Sequence, residues 1–406
     1  MYTLSCGGVQ GYRGPVSAAN PSVTTPASPL ARWALSPDVL HLNHGSFGGC
    51  PRTVLAAADA VRARLEAAPM RFYVLDWQRE LDRARAALSR FVGADPARLA
   101  FVPSATAGVA IALAAADLAA GDEVLLTAHG YRACANQVHR LAGARGLRVA
   151  TVPIDLPFDP DALVERLERA VSRRTRLVVI DHVTSPTALR LPVERIVPAM
   201  RAQGVQVLVD GAHAPGQVPL DVEALGATWY VGNCHKWLCG PKASGFVVAS
   251  PDAAASLRPL ITSHGATPGY GPANRLHAEL DWSGTYDPAP QLAVPVAIEA
   301  VAAEGGGWPQ VVARNHALAL AFRDRLGGRA LGPDAAIGSM IALPIALPAG
   351  ATAHGVERAL LEAGCEVPVI DGPGGPLVRV SAHLYNHAGE ADLLALRLHA
   401  LGVALA

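Results

Sequence analysis

The chain has 406 residues, among them 32 arginines but only two lysines, Lys236 and Lys242, both in His235-Lys236-Trp237-Leu238-Cys239-Gly240-Pro241-Lys242. Arginine supplies a solvated positive charge as well as lysine does. It stays charged in proteins, however, and cannot act as a nucleophilic amine. Lysine kept at one place in an arginine-rich chain therefore points to amine chemistry, first of all a Schiff base with an aldehyde cofactor. Lys236 is the stronger candidate, because apolar neighbours such as Trp237 disfavour the ammonium form. Lys242 follows the Gly240-Pro241 turn and reads as a surface charge. Asn233 and His235, just ahead of Lys236, are suited to a phosphate or to positioning the amine.

Three further groups fit the same cofactor. Ser104-Ala105-Thr106-Ala107-Gly108 follows an apolar run and opens a helical one. Backbone N–H groups there, with the Thr106 hydroxyl, suit a phosphate, although the same composition also serves plain capping. Asp210-Gly211-Ala212-His213 follows a second apolar run, and an acid at a strand's carboxyl end faces the crevice where α/β folds bind ligands. Beside a pyridine nitrogen it keeps that nitrogen protonated, and His213 is within reach of the same ring. The alternative is a helix cap followed by a satisfied histidine. Tyr131, in Ala128-His129-Gly130-Tyr131, suits ring stacking and acid catalysis, with His129 competing for the role. A rival from another class is a zinc-dependent hydrolase built on Cys234, His235, Cys239 and His213, although C-x4-C without a second half matches zinc sites poorly.

These residues need a frame that brings strand ends together. Apolar runs at Leu99–Val102, Glu123–Thr127, Arg148–Val152, Leu177–Asp181, Val205–Asp210, Thr228–Val231 and Gly245–Ala249 alternate with helical patterns, including Arg79–Phe91, Thr106–Ala119 and Pro160–Ala170. Near-continuous apolar strands separated by helices predict an α/β fold: a large, mostly parallel seven-stranded sheet covered by helices. After about residue 290 the pattern becomes a smaller C-terminal α+β domain. It comprises one long helix (Val294 to Leu326), a strand-like run at Met340–Leu347, a helix at Ala353–Ala363, strands near Glu366–Ile370 and Leu377–Ser381, and a helix at Glu390–Leu401. The expected division is a flexible tail over 1–37, a large cofactor domain over 38–290 and the small domain over 291–406. Balanced charge, 34 basic against 34 acidic residues, argues against a nucleic-acid or anionic-membrane footprint. The longest uncharged stretch, Leu99 to Ala116, is broken by Pro103 and Gly108 and reads as strand, turn and helix rather than a membrane span. Six cysteines and no apolar leader following a cationic start suggest free thiols in the cytoplasm.

With these motifs in place, the chain resembles the fold-type I, class V aminotransferase superfamily of pyridoxal-phosphate enzymes, and most of all its isopenicillin N epimerase-like branch. The resemblance runs from Leu42 onward and rests on Leu42-Asn43-His44-Gly45-Ser46-Phe47-Gly48, Asp210-Gly211-Ala212-His213-Ala214-Pro215-Gly216, His235-Lys236-Trp237-Leu238 and Arg379-Val380-Ser381-Ala382-His383-Leu384-Tyr385. It implies Lys236 as the Schiff-base lysine, Asp210 as partner of the ring nitrogen, and His213 and Ser185 near the ring oxygen. Ala105 and Thr106 would serve the phosphate, and Tyr131 the stacking position in preference to His129. It further implies a homodimer with the site between subunits, Gly284-Thr285 reaching the neighbour's phosphate. Arg379 would clamp a substrate carboxylate, with Asn43 and His44 on the substrate side and Arg71 near the side-chain pocket. Cys365 lies at the start of an expected strand and reads as structural, unlike the mobile-loop cysteine of the family's desulfurases.

The implied reaction is removal of the α-proton of an amino acid by Lys236. Reprotonation from the other face, with Tyr131 as second acid, gives an epimerase or racemase. Loss of a thiolate gives a C–S lyase, and protonation on the cofactor a transaminase. Epimerisation is the first expectation.

Overall fold

The computed structural model describes residues 29–406. Its strands, in chain order, are β1 (Leu40–His41), β2 (Leu99–Val102), β3 (Glu123–Thr127), β4 (Arg148–Val152), β5 (Thr175–Asp181), β6 (Gln206–Gly211), β7 (Trp229–Asn233), β8 (Gly245–Ala249), β9 (Met340–Ala346), β10 (Cys365–Glu366), β11 (Val369–Gly372), β12 (Gly375–Ser381) and β13 (Ala404–Leu405). Strands β2 to β8 form one sheet in the order β2-β8-β7-β6-β5-β3-β4, in which β8 runs opposite to the other six. Two apolar clusters, one on each face, explain why these strands read as unbroken apolar runs. The mixed α/β architecture is the expected one.

The smaller sheet, β11-β12-β9-β13, is antiparallel and has its own core with the helices Trp308–Leu326, Ala353–Glu362 and Glu390–Ala400. Two expectations need correction here. The long helix from 294 to 326 is two helices, Val294–Gly305 and Trp308–Leu326, because Gly306 and Gly307 adopt φ of 76° and 111°. Glycine takes these values without a Cβ clash, and the chain turns. The single strand expected near 366–370 is two: β10 pairs with β1 in parallel, Pro368 intervenes, and β11 pairs with β12.

Residues 1–28 of the expected tail lie outside the described residues. The remainder is placed: Pro29–Arg32 makes a helical turn, and Trp33 is fully buried against His383, Tyr385 and His44. Leu40 and Leu42, expected with the large domain, pack instead into the small domain's core.

Candidate active site

The carboxyl ends of β5, β6 and β7 open onto a polar cavity. Its wall brings together Ser104, Ala105, Thr106, Tyr131, Asp181, Ser185, Asp210, His213, Asn233, His235 and Lys236, joined by Ser46 and Phe47 from the N-terminal segment. Residues far apart in sequence meet because parallel strands deliver their C-terminal ends to one edge.

Lys236 sits in a tight turn that begins as β7 ends. Its Nζ lies 3.1 Å from His213 Nε2, and Trp237 donates its indole N–H to His213 Nδ1 at 3.3 Å. An acceptor at Nδ1 leaves the proton of neutral imidazole on Nε2, aimed at the lysine nitrogen. Only a neutral amine has the lone pair to accept it. Burial, reinforced by the positive Arg379, lowers the Lys236 ammonium from 10.5 to about 8. Burial first and then the positive charge of Lys236 push His213 well below its ordinary value, so the imidazole is neutral.

Asp210 accepts the backbone N–H of Ala212 at 2.9 Å and the thiol of Cys134 at 3.0 Å. The helix Ala105–Ala115 begins at the same wall, capped by Ser104, whose hydroxyl accepts from Ala107 N–H. Asn233 Oδ1 takes the N–H of Ala105 at 2.8 Å, and His235 donates from Nδ1 to the Ser244 carbonyl at 2.9 Å. Both residues line the cavity while bracing its floor.

Arg379, on β12, reaches back to the large domain. Its Nη1 donates to the carbonyl and hydroxyl of Ser185 at 2.7 and 3.1 Å; its Nη2 donates to Ser46 Oγ at 2.7 Å and, at 3.4 Å, to Asn43 Oδ1. All these acceptors are uncharged, and Nε has none. Burial lowers even this guanidinium to about 10. A buried cation with neutral partners is the arrangement an anionic ligand completes.

Other expected residues fall elsewhere. Tyr131 lines the cavity, whereas His129 is buried behind it, 3.1 Å from Thr187 Oγ1 and lowered to about 4 by burial. His44 does not face the cavity. It is buried behind the lysine turn, where its Nε2 donates to the Lys236 carbonyl at 3.1 Å and its Nδ1 accepts from Gly49 N–H and bonds Tyr385 Oη. Gly48, next to it, presses so closely on the same turn that a Cβ there would lie 2.0 Å from the His235 carbonyl oxygen. Arg71 and Thr285 are exposed and outside this cavity. Lys242 is exposed and donates to the Gly48 carbonyl. Cys365 is buried in β10 and raised to about 11 by burial, far from a nucleophilic thiolate.

The zinc constellation of Cys234, His235, Cys239 and His213 does not assemble. Among the described residues, the one group with metal-ligand proximity is His44, Cys239 and His383. Its two imidazoles stack 3.9 Å apart at 15°. An imidazole lone pair lies in the ring plane, so a shared ion would sit outside both planes. Two groups carry no signal in the sequence: Asp181, which lines the cavity but looks like the end of a strand, and Cys134, which bonds Asp210 but looks like a core thiol.

The aminotransferase class-V family model matches residues 50–326. The chain is 38% identical to isopenicillin N epimerase of Amycolatopsis lactamdurans, covering 89% of this chain and 95% of that one. It is 33% identical to putative L-cysteine desulfhydrase 2 of Oryza sativa subsp. japonica, covering 95% and 91%. A solved structure of a lysine-to-alanine variant of C-DES, with glycine covalently linked to its PLP cofactor, superposes with a TM-score of 0.78 at 23% identity, covering 90% of this chain and 97% of that one. The chain belongs to the class-V aminotransferase family.

Proposed function

We propose that this class-V aminotransferase-family chain is a pyridoxal-phosphate enzyme that removes the α-proton of an amino acid and epimerises it. The observation that carries the reading is a deprotonation-prone amine and a buried, anion-seeking guanidinium serving one cavity: Lys236 lines it, and Arg379 is bonded to its wall residues Ser46 and Ser185. The residues present fit the cofactor. Lys236 would meet its aldehyde, Asp210 its ring nitrogen, His213 and Ser185 its ring oxygen, Tyr131 its ring face, and Ala105 and Thr106 its phosphate, with Asn233 and His235 bracing that wall.

Bound there, pyridoxal phosphate supplies an aldehyde for the substrate amine and a ring that takes up the electron pair left by the departing proton. The chain does the rest. Arg379 holds the substrate carboxylate and fixes the α-carbon, with Asn43 orienting the guanidinium. Lys236, neutral above about pH 8, takes the α-proton, helped by a neutral His213 that adds no competing charge. Burial and nearby acidic groups keep the Tyr131 phenol protonated, so it is the proposed second proton donor.

A C–S lyase outcome is the second reading, supported by the desulfhydrase likeness. A homodimer is proposed because Arg71 and Thr285 lie exposed outside their own protomer's cavity, beside exposed Met70, Val74 and Leu75 in the case of Arg71. The cytoplasm is the proposed compartment, supported by five buried free thiols among the described residues. No helix among them is long and apolar enough to cross a membrane.

The test is an absorbance spectrum with pyridoxal phosphate, before and after borohydride, for wild type and Lys236→Ala, followed by an amino-acid screen in deuterated water. A visible band that borohydride abolishes and that needs Lys236, together with α-deuterium incorporation into both enantiomers, is expected. Thiol release without racemisation would favour the lyase. No band and no exchange would overturn both.

A further inference from the structure

The proposed reaction leaves Asp181 without a task. It ends β5 in register with Asp210 at the end of β6, and both carboxyls line the cavity at 5% and 3% exposure. Neighbouring residues in register on parallel strands project to the same face, so the two acids lie side by side. Their donors are unequal. Asp210 accepts from Ala212 N–H and the Cys134 thiol, whereas Asp181 accepts only from Tyr131 N–H, at 3.2 Å, among the described residues.

Two adjacent buried carboxyls do not both ionise at modest pH, and the one with fewer donors keeps the proton. Burial, followed by the neighbouring Asp210, raises Asp181 well above the ordinary carboxylate range. The other groups around it do not reverse this. Lys236 draws it down less than those two forces lift it. Cys134 is itself raised by burial and by Asp210, and Tyr131 by burial. His182 is neutral, lowered to about 3 by burial and Arg190, and bonds the Tyr230 hydroxyl, itself raised well up by burial and Asp210.

We propose that Asp181 and Asp210 hold one proton between them, with Asp181 as its carrier. Asp181 is then a positioning residue. It anchors Tyr131 through the backbone and leaves Asp210 as the ionised member of the pair, ready for a protonated ring nitrogen. The last step rests on the pyridoxal-phosphate reading; the shared proton does not.

The test uses the full chain without cofactor. A carboxyl whose proton affinity is raised by folding favours the folded state fully only below its ordinary value, and the protein loses that stability as pH rises through the raised one. Asp181→Asn removes this loss. Its melting temperature relative to wild type is expected to rise between pH 4 and pH 8 by on the order of 2 °C. That gain should shrink in an Asp210→Asn background, where the neighbouring charge is gone. Asp181→Ser, which also lacks the titrating group, should repeat the pattern. Infrared spectra of wild type at pH 7 should contain a protonated-carboxyl band that both variants lack. A pH-independent difference, or one indifferent to Asp210→Asn, would overturn the proposal, as would absence of the band. Adding pyridoxal phosphate to the wild type separates the two ideas: no uptake removes the cofactor reading, while the cofactor-free cycle still decides the shared proton.

Discussion

The two sides of the Lys236 turn are built from similar residue types and behave oppositely. Behind the turn, Trp33, His44, Cys239, His383 and Tyr385 form a buried cluster of rings and a thiol. His44 gives its proton to the Lys236 carbonyl, and the Cys239 thiol lies 3.5 Å from His383 Nε2. Burial lowers His44 to about 3 and raises Cys239 well up, so both remain uncharged. In front, burial also displaces proton affinities, but there it acts on groups whose bonding capacity is unfinished: the Lys236 amine, Arg379 Nε and the Asp181 carboxyl. Burial alone therefore does not mark a reactive site. Nor does a single unpartnered atom, since His383 Nδ1 behind the turn also lacks a partner; what marks the site is several such groups, charged or titratable, gathered around one cavity.

The comparison can be broken most sharply at its centre. Lys236→Ala is expected to lower turnover by about 10²–10⁴-fold, the contribution of a positioned base. It should leave thermal stability close to wild type, which a melting curve checks. Arg379→Ala should cost about 2–3 kcal/mol of substrate binding, a 30- to 150-fold rise in KM. In a Lys242→Arg protein, whose one remaining lysine is Lys236, amine reactivity toward an acylating reagent should rise with pH through about 8. Removing Arg379 should move that midpoint upward, because its positive charge is the second cause of the depression. A midpoint near the ordinary 10.5 would show that the front side is as wet as the surface. On the back, His44→Gln is expected to cost about 1–3 kcal/mol of stability, read in a urea melt, with a smaller effect on kcat than any front-side change. Lys242→Arg alone should fall within about 0.5 kcal/mol of wild type in the same melt.

Legibility in the sequence followed how local each signal was. Six strands of the large sheet are legible because both faces are buried and their apolar runs are nearly unbroken, whereas the edge strand β4 is half exposed and legible only by its place in the alternation. The helix Pro160–Ala170 has the bounds its sequence suggests, since Asp159 caps it and proline occupies its first turn. Lys236 was legible through lysine scarcity alone. The glycine run at 305–307 is a local break signal that the apolar periodicity on either side of it masks. His44 carried no local signal: its motif was visible, but the face it occupies depends on the pairing of β1 with β10. Asp181 was hidden for a similar reason, because an acid at a strand end acquires meaning only when the next strand places a second acid beside it.

That β1–β10 pairing also sets a timetable. His41 and Glu366, its register partners, lie 325 positions apart, and the packing of His44 against His383 closes at the same place. At about 5–20 residues per second of synthesis, roughly 15 to 65 seconds separate the emergence of the two halves. The sheet that carries Asp210 and Lys236 can form during that interval, but the backing of the lysine turn stays incomplete until His383 and Tyr385 arrive to hold His44 in place. A nascent chain would thus own every cavity residue of its large domain well before it owned a working active site.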